Sequence, residues 1–270
     1  MDEPTQKKQL VQRQFGAHAH AYATSPVHAR GASLARLVEL VQPERPWQVL
    51  DIATAAGHTA FAFAPHVAHV VATDLTPEML GVAARLAAEK GLANLSFQQA
   101  DAEDLPFPPG RFDLVTCRIA PHHFPHIDRF LAEAARVLRP GGILAVVDNV
   151  VPGPGDAGEA ADEALLEAGR YINDFERLRD PSHHRALSLG EWLAALEGAG
   201  FYLLHQETAP KRMEFQPWAE RMGAAPETIQ LLRSMLEDAP PAARDFLRPE
   251  LSDGQLFFYL TEAILVASHG

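Results

Sequence analysis

Between residues 47 and 150 the sequence alternates short, continuous runs of apolar residues with longer, Ala-rich segments of helical periodicity. Each run is too short and too uniformly apolar for a strand with one exposed face, so it predicts a strand buried on both faces. Alternation of such strands with helices is typical of βαβ units and a parallel sheet. The predicted strands are Trp47–Ile52, Val67–Thr73, Leu95–Gln99, Phe112–Cys117 and Gly142–Asp148.

The helices between these strands are bounded by capping residues and glycines. The segment Pro77–Lys90 follows Thr76, a favoured N-cap residue, and stops before Gly91, which predicts a helix with these limits. A second helix is predicted over Ile127–Leu138, where the Arg-Pro-Gly-Gly sequence at 139–142 closes it. Right-handed crossovers then place helices on both faces of the sheet.

Two regions flank this pattern. Before it, a helix is predicted from about Val27 to Val41, and the stretch ahead of that helix, with Phe15 and Tyr22, is either a flexible lid or ordinary packing. After it comes a Pro/Gly-rich linker over 151–158. The remaining predicted elements are the helices Glu159–Leu178 and Ser188–Ala199, the strands Gly200–His205 and Leu256–Ala267, and helical segments within 215–248.

Together these elements predict an α/β fold with a doubly wound, seven-stranded, mostly parallel sheet of Rossmann-like type and helical cap insertions. We expect residues 1–46 to form an N-terminal lid and helix. Residues 47–150 are expected to form a cofactor-binding core. Residues 151–270 are expected to supply helical cap segments and the last two strands of the same sheet.

Composition narrows the partners of the protein. A formal net charge of −12 over 270 residues disfavours nucleic acid, because phosphate binding needs clustered Lys and Arg. Cys117 is the one cysteine, so a thiolate-rich metal site is excluded. The start of the chain lacks a signal-peptide pattern, and no apolar run approaches the roughly 18 residues that span a bilayer. We therefore expect a cytoplasmic protein without stable membrane insertion, and leave a homodimer open.

The strongest local signal is the run from Val49 to Thr59, in which an apolar strand leads into small residues and then a helix. Open α/β sheets bind ligands at this position. A dinucleotide fingerprint needs glycines where this chain has Ala53, Ala55 and His58, so a pyrophosphate would be crowded. The loop therefore disfavours a nicotinamide or flavin cofactor.

Three carboxylates follow successive predicted strands. Asp51 stands where a pyrophosphate would sit in a dehydrogenase, and its charge suits a cationic ammonium group instead. Asp74 is placed to accept two hydrogen bonds from a ribose diol, and Asp101 could accept one from an adenine amino group. Their joint placement predicts a ligand with a ribose and an adenine. The ribose contact at Asp74 fits NAD as well as adenosylmethionine, and Asp51 favours the cationic ligand of the two.

Several short motifs follow one another along residues 49–150: Val49-Leu50-Asp51 with Gly57, Asp74, the run 101–107 (DAEDLPF), Phe112-Asp113-Leu114-Val115 and the run 137–142 (VLRPGG). In these motifs, their order and their spacing, the sequence resembles the class I methyltransferase core, especially the small-molecule branch similar to the ubiquinone/menaquinone C-methyltransferases. The family usually has glycine where this chain has Ala53 and Ala55, and each added methyl group narrows the approach to the backbone.

The resemblance implies S-adenosylmethionine as the cofactor. It places Asp51 and the 53–57 backbone near the methionine moiety, Asp74 on the ribose, and Asp101 with Ala102 at the adenine. An aromatic residue of the N-terminal segment would cover the cofactor, and two apolar side chains would flank the adenine ring. The candidate cofactor-binding residues are Tyr22, Asp51, Ala53, Ala55, Gly57, Asp74, Leu75, Met79, Asp101, Ala102 and Arg118.

Methyl transfer is a displacement at a sulfonium carbon and needs no nucleophilic side chain, but a phenol or an activated carbon must lose a proton. After the fourth strand, His123 is our first candidate for that base and His122 our second. These histidines could instead cap helices or contact backbone. Asp148 either reaches the acceptor or merely ends its strand. No H-E-x-x-H motif is present, and no metal is expected.

The sequence therefore predicts an S-adenosylmethionine-dependent methyltransferase that methylates oxygen or carbon of a small molecule. A non-catalytic module that binds the same cofactor, or an NAD-dependent reductase, are the alternatives. The acceptor pocket is expected to be built from the N-terminal lid, the 156–187 segment and the helical insertion before the last strand. These segments contain Tyr171, Phe175, Arg177, Arg179, His183, His184, Arg185, Phe215 and Trp218.

Overall fold

The computed structural model describes residues 3–23, 32–155 and 163–270, and only the backbone of 17–23. The strands are β1 (Gln48–Ile52), β2 (His69–Asp74), β3 (Leu95–Gln99), β4 (Phe112–Arg118), β5 (Leu138–Val150), β6 (Phe201–Glu214), β7 (Glu250–Ser252) and β8 (Gln255–His269). The helices are α1 (Glu3–Ala23), α2 (Ala32–Val41), α3 (His58–Phe63), α4 (Pro77–Glu89), α5 (Ile127–Val137), α6 (Glu163–Arg179), α7 (Leu189–Gly198), α8 (Phe215–Glu220), α9 (Pro226–Glu237) and α10 (Pro241–Leu247).

The strands form one sheet in the order β3-β2-β1-β4-β5-β8-β6, and β7 pairs with β8 off this path. The pairs β1–β2, β2–β3, β1–β4 and β4–β5 are parallel. The chain order reverses between β1 and β4, which creates a switch point at their carboxyl ends, where ligands of such sheets bind. The predicted doubly wound α/β fold, with all seven predicted strands, is confirmed.

The sequence reading missed β7, which forms a hairpin with β8. Ser252 pairs with Gln255, so the hairpin loop consists of Asp253 and Gly254 alone. Both loop residues have positive φ, at 53° and 77°, as a type I′ turn requires. The Asp-Gly dipeptide was the available signal, and it makes the sheet eight-stranded rather than seven-stranded.

Several predicted boundaries were wrong. Strand β5 begins at Leu138, so residues 139–142, expected to close a helix, belong to the strand, and the β4–β5 register shifts beside them. Strand β6 continues to Glu214, well past the predicted end at His205. The predicted starts of two helices, Val27 and Glu159, lie in 24–31 and 156–162, outside the described residues.

The chain divides into two compact units. The first comprises Met1–Asp148, Ala195–Glu207 and Ile264–Gly270, and the second Asn149–Ala194 and Thr208–Ala263. In the first unit the buried face of β1, β2, β4 and β5 packs with α2 and α3 into one apolar core, as the continuous hydrophobic runs require. Within the described ranges, no helix has the length and apolarity needed to cross a bilayer.

Candidate functional site

The carboxylate of Asp51 organises the loop after β1. Its Oδ2 accepts hydrogen bonds from Thr54 Oγ1 (2.5 Å) and the amide of Ala60 (3.2 Å), and its Oδ1 accepts one from Thr116 Oγ1 (2.6 Å). Only 1% of the residue is exposed. Burial raises the pKa of Asp51 to about 6, although the hydrogen bonds from Thr116 and Thr54 oppose that rise. The side chain therefore faces the loop and β4 rather than the surface of the site.

The backbone of this loop adopts a glycine-like conformation without the expected glycines. Ala53 and Ala55 have φ values of 52° and 47°, and Gly57 has 89°. An L-residue in this left-handed region is disfavoured by about 1–2 kcal/mol. Ala53 and Ala55 adopt this conformation despite its cost. The loop therefore has left-handed residues at 53, 55 and 57 although two of the glycines typical of the family are replaced by alanine.

Asp74 ends β2 and connects directly to the same loop. Its Oδ2 accepts a hydrogen bond from the amide of Ala55 (2.9 Å), and its Oδ1 accepts one from the amide of Thr76 (2.8 Å). Burial raises the pKa of Asp74, and the hydrogen bonds from the backbone amides oppose this. Thr76 occupies the predicted N-cap position of α4, but its side chain makes no capping hydrogen bond. The carboxylate that we predict to bind the ribose is therefore hydrogen-bonded to the loop after β1 through the amide of Ala55.

Asp101, the predicted adenine contact, is paired with a lysine that the sequence analysis did not single out. Its Oδ1 accepts from the amide of Glu103 (3.0 Å), and Lys8 Nζ on α1 donates to its Oδ2 (2.7 Å) and to Glu103 Oε2 (2.7 Å). Burial lowers the pKa of Lys8, but its hydrogen bonds to the two carboxylates outweigh this and raise it. Ala102, between the two acids, is buried.

The helix α1 also covers the residues predicted to flank the adenine. Gln12 Nε2 donates to the carbonyl of Leu75 (2.9 Å), and Phe15 packs against a small apolar cluster that contains Met79. Met79 is only 1% exposed. The side chain of Tyr22, the predicted aromatic cover, lies outside the described residues. The first half of the N-terminal segment is thus a docked helix.

The two candidate bases lie in a short 3-10 turn after β4, Pro121–His123. His122 Nδ1 lies 2.6 Å from Oδ1 of Asp148 on β5, and both residues are buried. The ring of His123 packs edge-to-face against Phe15, with centroids 5.0 Å apart. The structure therefore pairs our second candidate with a carboxylate and packs the first against an aromatic ring.

Arg118, the last residue of β4, contacts the helix that follows the Asp51 loop. Arg118 Nε donates to Thr59 Oγ1 (3.1 Å), and the charge of Arg118 opposes the rise in the pKa of Asp51. The buried thiol of Cys117 has its pKa raised by burial and by three nearby carboxylates, Asp148, Asp51 and Asp74. One edge of the sheet thus concentrates negative charge, which suits a sulfonium and ammonium cation better than a pyrophosphate.

Two further expectations concern other parts of the chain. Across the described residues, no cluster of three or more His, Cys, Asp or Glu side chains could hold a metal ion. In the second unit, Phe175 stacks on Trp218 with ring centroids 4.8 Å apart, and both are fully buried in that unit's core with Phe215. These three aromatic residues therefore have a packing role. The predicted acceptor pocket stays a prediction.

Comparisons with known proteins show what the chain is similar to. A family model described as a methyltransferase domain matches residues 49–142. The chain is 34% identical over 253 residues to YcgJ, an uncharacterized methyltransferase of Bacillus subtilis, covering 93% of this chain and 96% of the relative. It is 43% identical over 113 residues to the ubiquinone/menaquinone biosynthesis C-methyltransferase UbiE of Brucella anthropi, covering 40% of this chain and 43% of that one. A crystal structure of a candidate methyltransferase from Bacillus halodurans superposes with a TM-score of 0.80 at 37% identity, covering 88% of this chain and 99% of that one.

Proposed function

The chain belongs to the class I S-adenosylmethionine-dependent methyltransferases, and we propose that it methylates an oxygen or carbon atom of a small molecule. The observation that carries the proposal is the buried His122–Asp148 pair at the sheet edge that also holds the cofactor loop. An imidazole in such a pair suits an acceptor that must lose a proton. The net charge of −12 supports a small acceptor over a nucleic acid.

S-adenosylmethionine supplies, when bound, a methyl group on a positively charged sulfur. We assign the ribose hydroxyls to Asp74, the adenine amino group to Asp101, and the methionine moiety to the left-handed backbone at 53–57. The fit to this ligand is supported by two hydrogen bonds that fix the loop, from Thr54 Oγ1 to Asp51 and from the amide of Ala55 to Asp74. In this assignment Asp51 acts on the cofactor through the loop.

The acceptor class is tested by incubating the protein with S-adenosylmethionine carrying a deuterated methyl group. The panel of acceptors contains phenols, enolisable dicarbonyl compounds, amines and a short duplex DNA, and mass spectrometry reads the label. We expect labelled phenols or dicarbonyl compounds and unlabelled DNA. Label on DNA, or on amines alone, would contradict the proposed acceptor.

Substitution of Lys8 by methionine should tighten cofactor binding. Lys8 neutralises Asp101 and Glu103 in the present arrangement, so its removal leaves the adenine acceptor without a competing donor and makes the site more negative for a cationic ligand. We expect the Kd for S-adenosylmethionine to fall by roughly 2–5-fold, the scale of one partly exposed ion pair.

The matched control is Lys7→Met, because Lys7 pairs with Glu3 on the exposed side of the same helix. Calorimetric titration should give that variant the wild-type Kd. If Lys8→Met, but not Lys7→Met, bound S-adenosylmethionine more weakly than the wild type, docking of α1 would be needed for binding. That result would contradict a competition between Lys8 and the adenine amino group for Asp101.

A further inference from the structure

The His122–Asp148 contact is more specific than the burial of a histidine requires. The two residues come from different elements, the 3-10 turn after β4 and the strand β5, and Nδ1 lies 2.6 Å from Oδ1. Asp148 is only 2% exposed. A backbone carbonyl or a hydroxyl would satisfy a ring nitrogen without burying a carboxylate, which is unfavourable unless that charge is used or paired.

A carboxylate at Nδ1 has two chemical consequences for the ring. It holds the proton on Nδ1, so the lone pair belongs to Nε2, and it stabilises the imidazolium that forms when Nε2 takes up a proton. A paired imidazole is therefore a stronger and better oriented base than an isolated one. Both effects act on proton removal and neither is needed for methyl transfer itself.

Ile119, between β4 and the turn, has a strained backbone that helps to position the turn for the His122–Asp148 contact. Ile119 has a φ of 53°, and a β-branched residue rarely adopts the left-handed region. Its amide donates to the carbonyl of Val147 (2.7 Å), the residue before Asp148. The strained residue thus anchors the turn to β5 beside the carboxylate, and strain of this kind concentrates at functional sites.

The groups that face the pair come from each element packed around it. On the same turn, the His123 ring lies 4.3 Å from the His122 ring, centroid to centroid. On β4, burial raises the pKa of the Cys117 thiol, and the nearby charge of Asp148 raises it further. From α1, Phe15 packs on His123. Among these described neighbours, Asp148 supplies the carboxylate that contacts His122.

We infer that His122 is the general base of the reaction, that Asp148 is its positioning residue, and that the acceptor is a phenol or an enolisable carbon acid. As the acceptor oxygen or carbon bonds to the methyl carbon, the bond from that carbon to sulfur breaks and its electron pair stays on sulfur. The acceptor proton passes to His122 Nε2 and later to water. The inference rests on the proposed function and names its acceptor class.

The first test varies the acidity of the acceptor. With a simple phenol, whose pKa is about 10, His122→Gln should lower kcat/KM by roughly 10²- to 10⁴-fold. With a nitrated phenol that is already ionised, the same variant should lose less than about tenfold, because no base is needed. Asp148→Asn should show the same dependence on acceptor acidity with a smaller loss. His126→Gln, a nearby histidine outside the pair, should match the wild type with both acceptors.

The second test reads the pair without turnover. Nitrogen-15 NMR of the imidazoles should find His122 with its proton on Nδ1 in the wild type. In Asp148→Asn the pKa of His122 should fall, because the imidazolium loses its carboxylate partner. An unchanged pKa, or a proton on Nε2 in the neutral wild-type ring, would contradict the assigned pairing.

The outcomes separate this inference from the proposed function. Equal losses with protonated and ionised phenols would assign His122 a structural role and overturn the inference. Methylation of amines but of no phenol or carbon acid would also overturn it. Absence of S-adenosylmethionine binding by the wild type in calorimetry would instead remove the premise that the chain is a working methyltransferase.

Discussion

Gly57→Ala should abolish measurable binding of S-adenosylmethionine and lower the thermal midpoint of unfolding. Gly57 has a φ of 89°, and a Cβ built on it would lie 2.4 Å from a ring atom of Phe61, a core residue that is 8% exposed. Overpacking of this kind costs about 1–3 kcal/mol, and the left-handed conformation costs a further 1–2 kcal/mol or so for a residue with a Cβ. The loop can relieve the steric clash and the backbone strain by changing its conformation. That change would displace the 53–57 backbone, to which we assign the methionine moiety.

We expect the Kd of Gly57→Ala to rise by more than about 10²-fold and its thermal midpoint to fall by roughly 5–10 °C, following the stability cost and the size of the protein. Gly81→Ala is the matched control. Gly81 lies within α4, has no positive φ, and a Cβ there meets nothing within 4 Å. That variant should bind normally and gain a little stability, since alanine is the better helix former. Wild-type affinity in Gly57→Ala would show that the loop path does not govern binding.

Asp74→Asn should remove cofactor binding while leaving the fold intact. The substitution keeps the size of the side chain, but it replaces a carboxylate that accepts from the amides of Ala55 and Thr76 and, in our assignment, from the ribose hydroxyls. Hydrogen bonds to a charged acceptor contribute about 1.5–3 kcal/mol each, so the Kd should rise by roughly 10²-fold or more. Burial disfavours the Asp74 carboxylate, which raises its pKa, so a neutral amide should not lower the thermal midpoint greatly.

The control for that variant is Asp128→Asn, an exposed acid in the first turn of α5. It removes the same charge from an exposed side chain outside the assigned cofactor contacts, and it should leave the Kd within about twofold of wild type, since surface charges are screened. Calorimetric titration with S-adenosylmethionine and with S-adenosylhomocysteine measures each protein. Equal affinity of Asp74→Asn and the wild type would contradict the ribose assignment.

Much of the fold could be predicted because short sequence patterns determine where most of its strands lie. Strands β1, β2 and β4 are short, largely apolar runs. The predicted limits of β3, Leu95–Gln99, match the structure, but β3 is half-exposed at the edge of the sheet and not buried on both faces as predicted. The boundary errors have physical causes: the Arg-Pro-Gly-Gly segment at 139–142 contains helix-stopping residues, yet it lies within β5, where the β4–β5 register shifts. The Asp253–Gly254 turn was readable from the sequence and was overlooked.

The site was predictable to the level of strand ends. Sequence order placed Asp51, Asp74 and Asp101 at one edge of the sheet, because parallel strands bring their carboxyl ends together. It could not give side-chain direction, and Asp51 turns inward to Thr54 and Thr116. Nor does any local pattern connect Lys8 with Asp101, which lie 93 residues apart in the chain.

The choice between neighbouring residues also required the structure. His122 and His123 are adjacent and chemically identical in the sequence, and only the 3-10 turn decides which ring meets Asp148. The same holds for the positive φ values of Ala53 and Ala55, since alanine gives no sign of a left-handed conformation. The family resemblance identified the cofactor, whereas the acceptor depends on parts of the chain that vary between relatives of one fold.

A crystal structure of the protein with S-adenosylhomocysteine tests the central claim most directly. The account predicts both ribose hydroxyls within hydrogen-bonding distance of Asp74, about 2.5–3.0 Å between oxygens, and the adenine amino group at Asp101. It also predicts that the sulfur lies on the side of the site where His122 meets Asp148. A ligand bound elsewhere, or a ribose turned away from Asp74, would contradict the account.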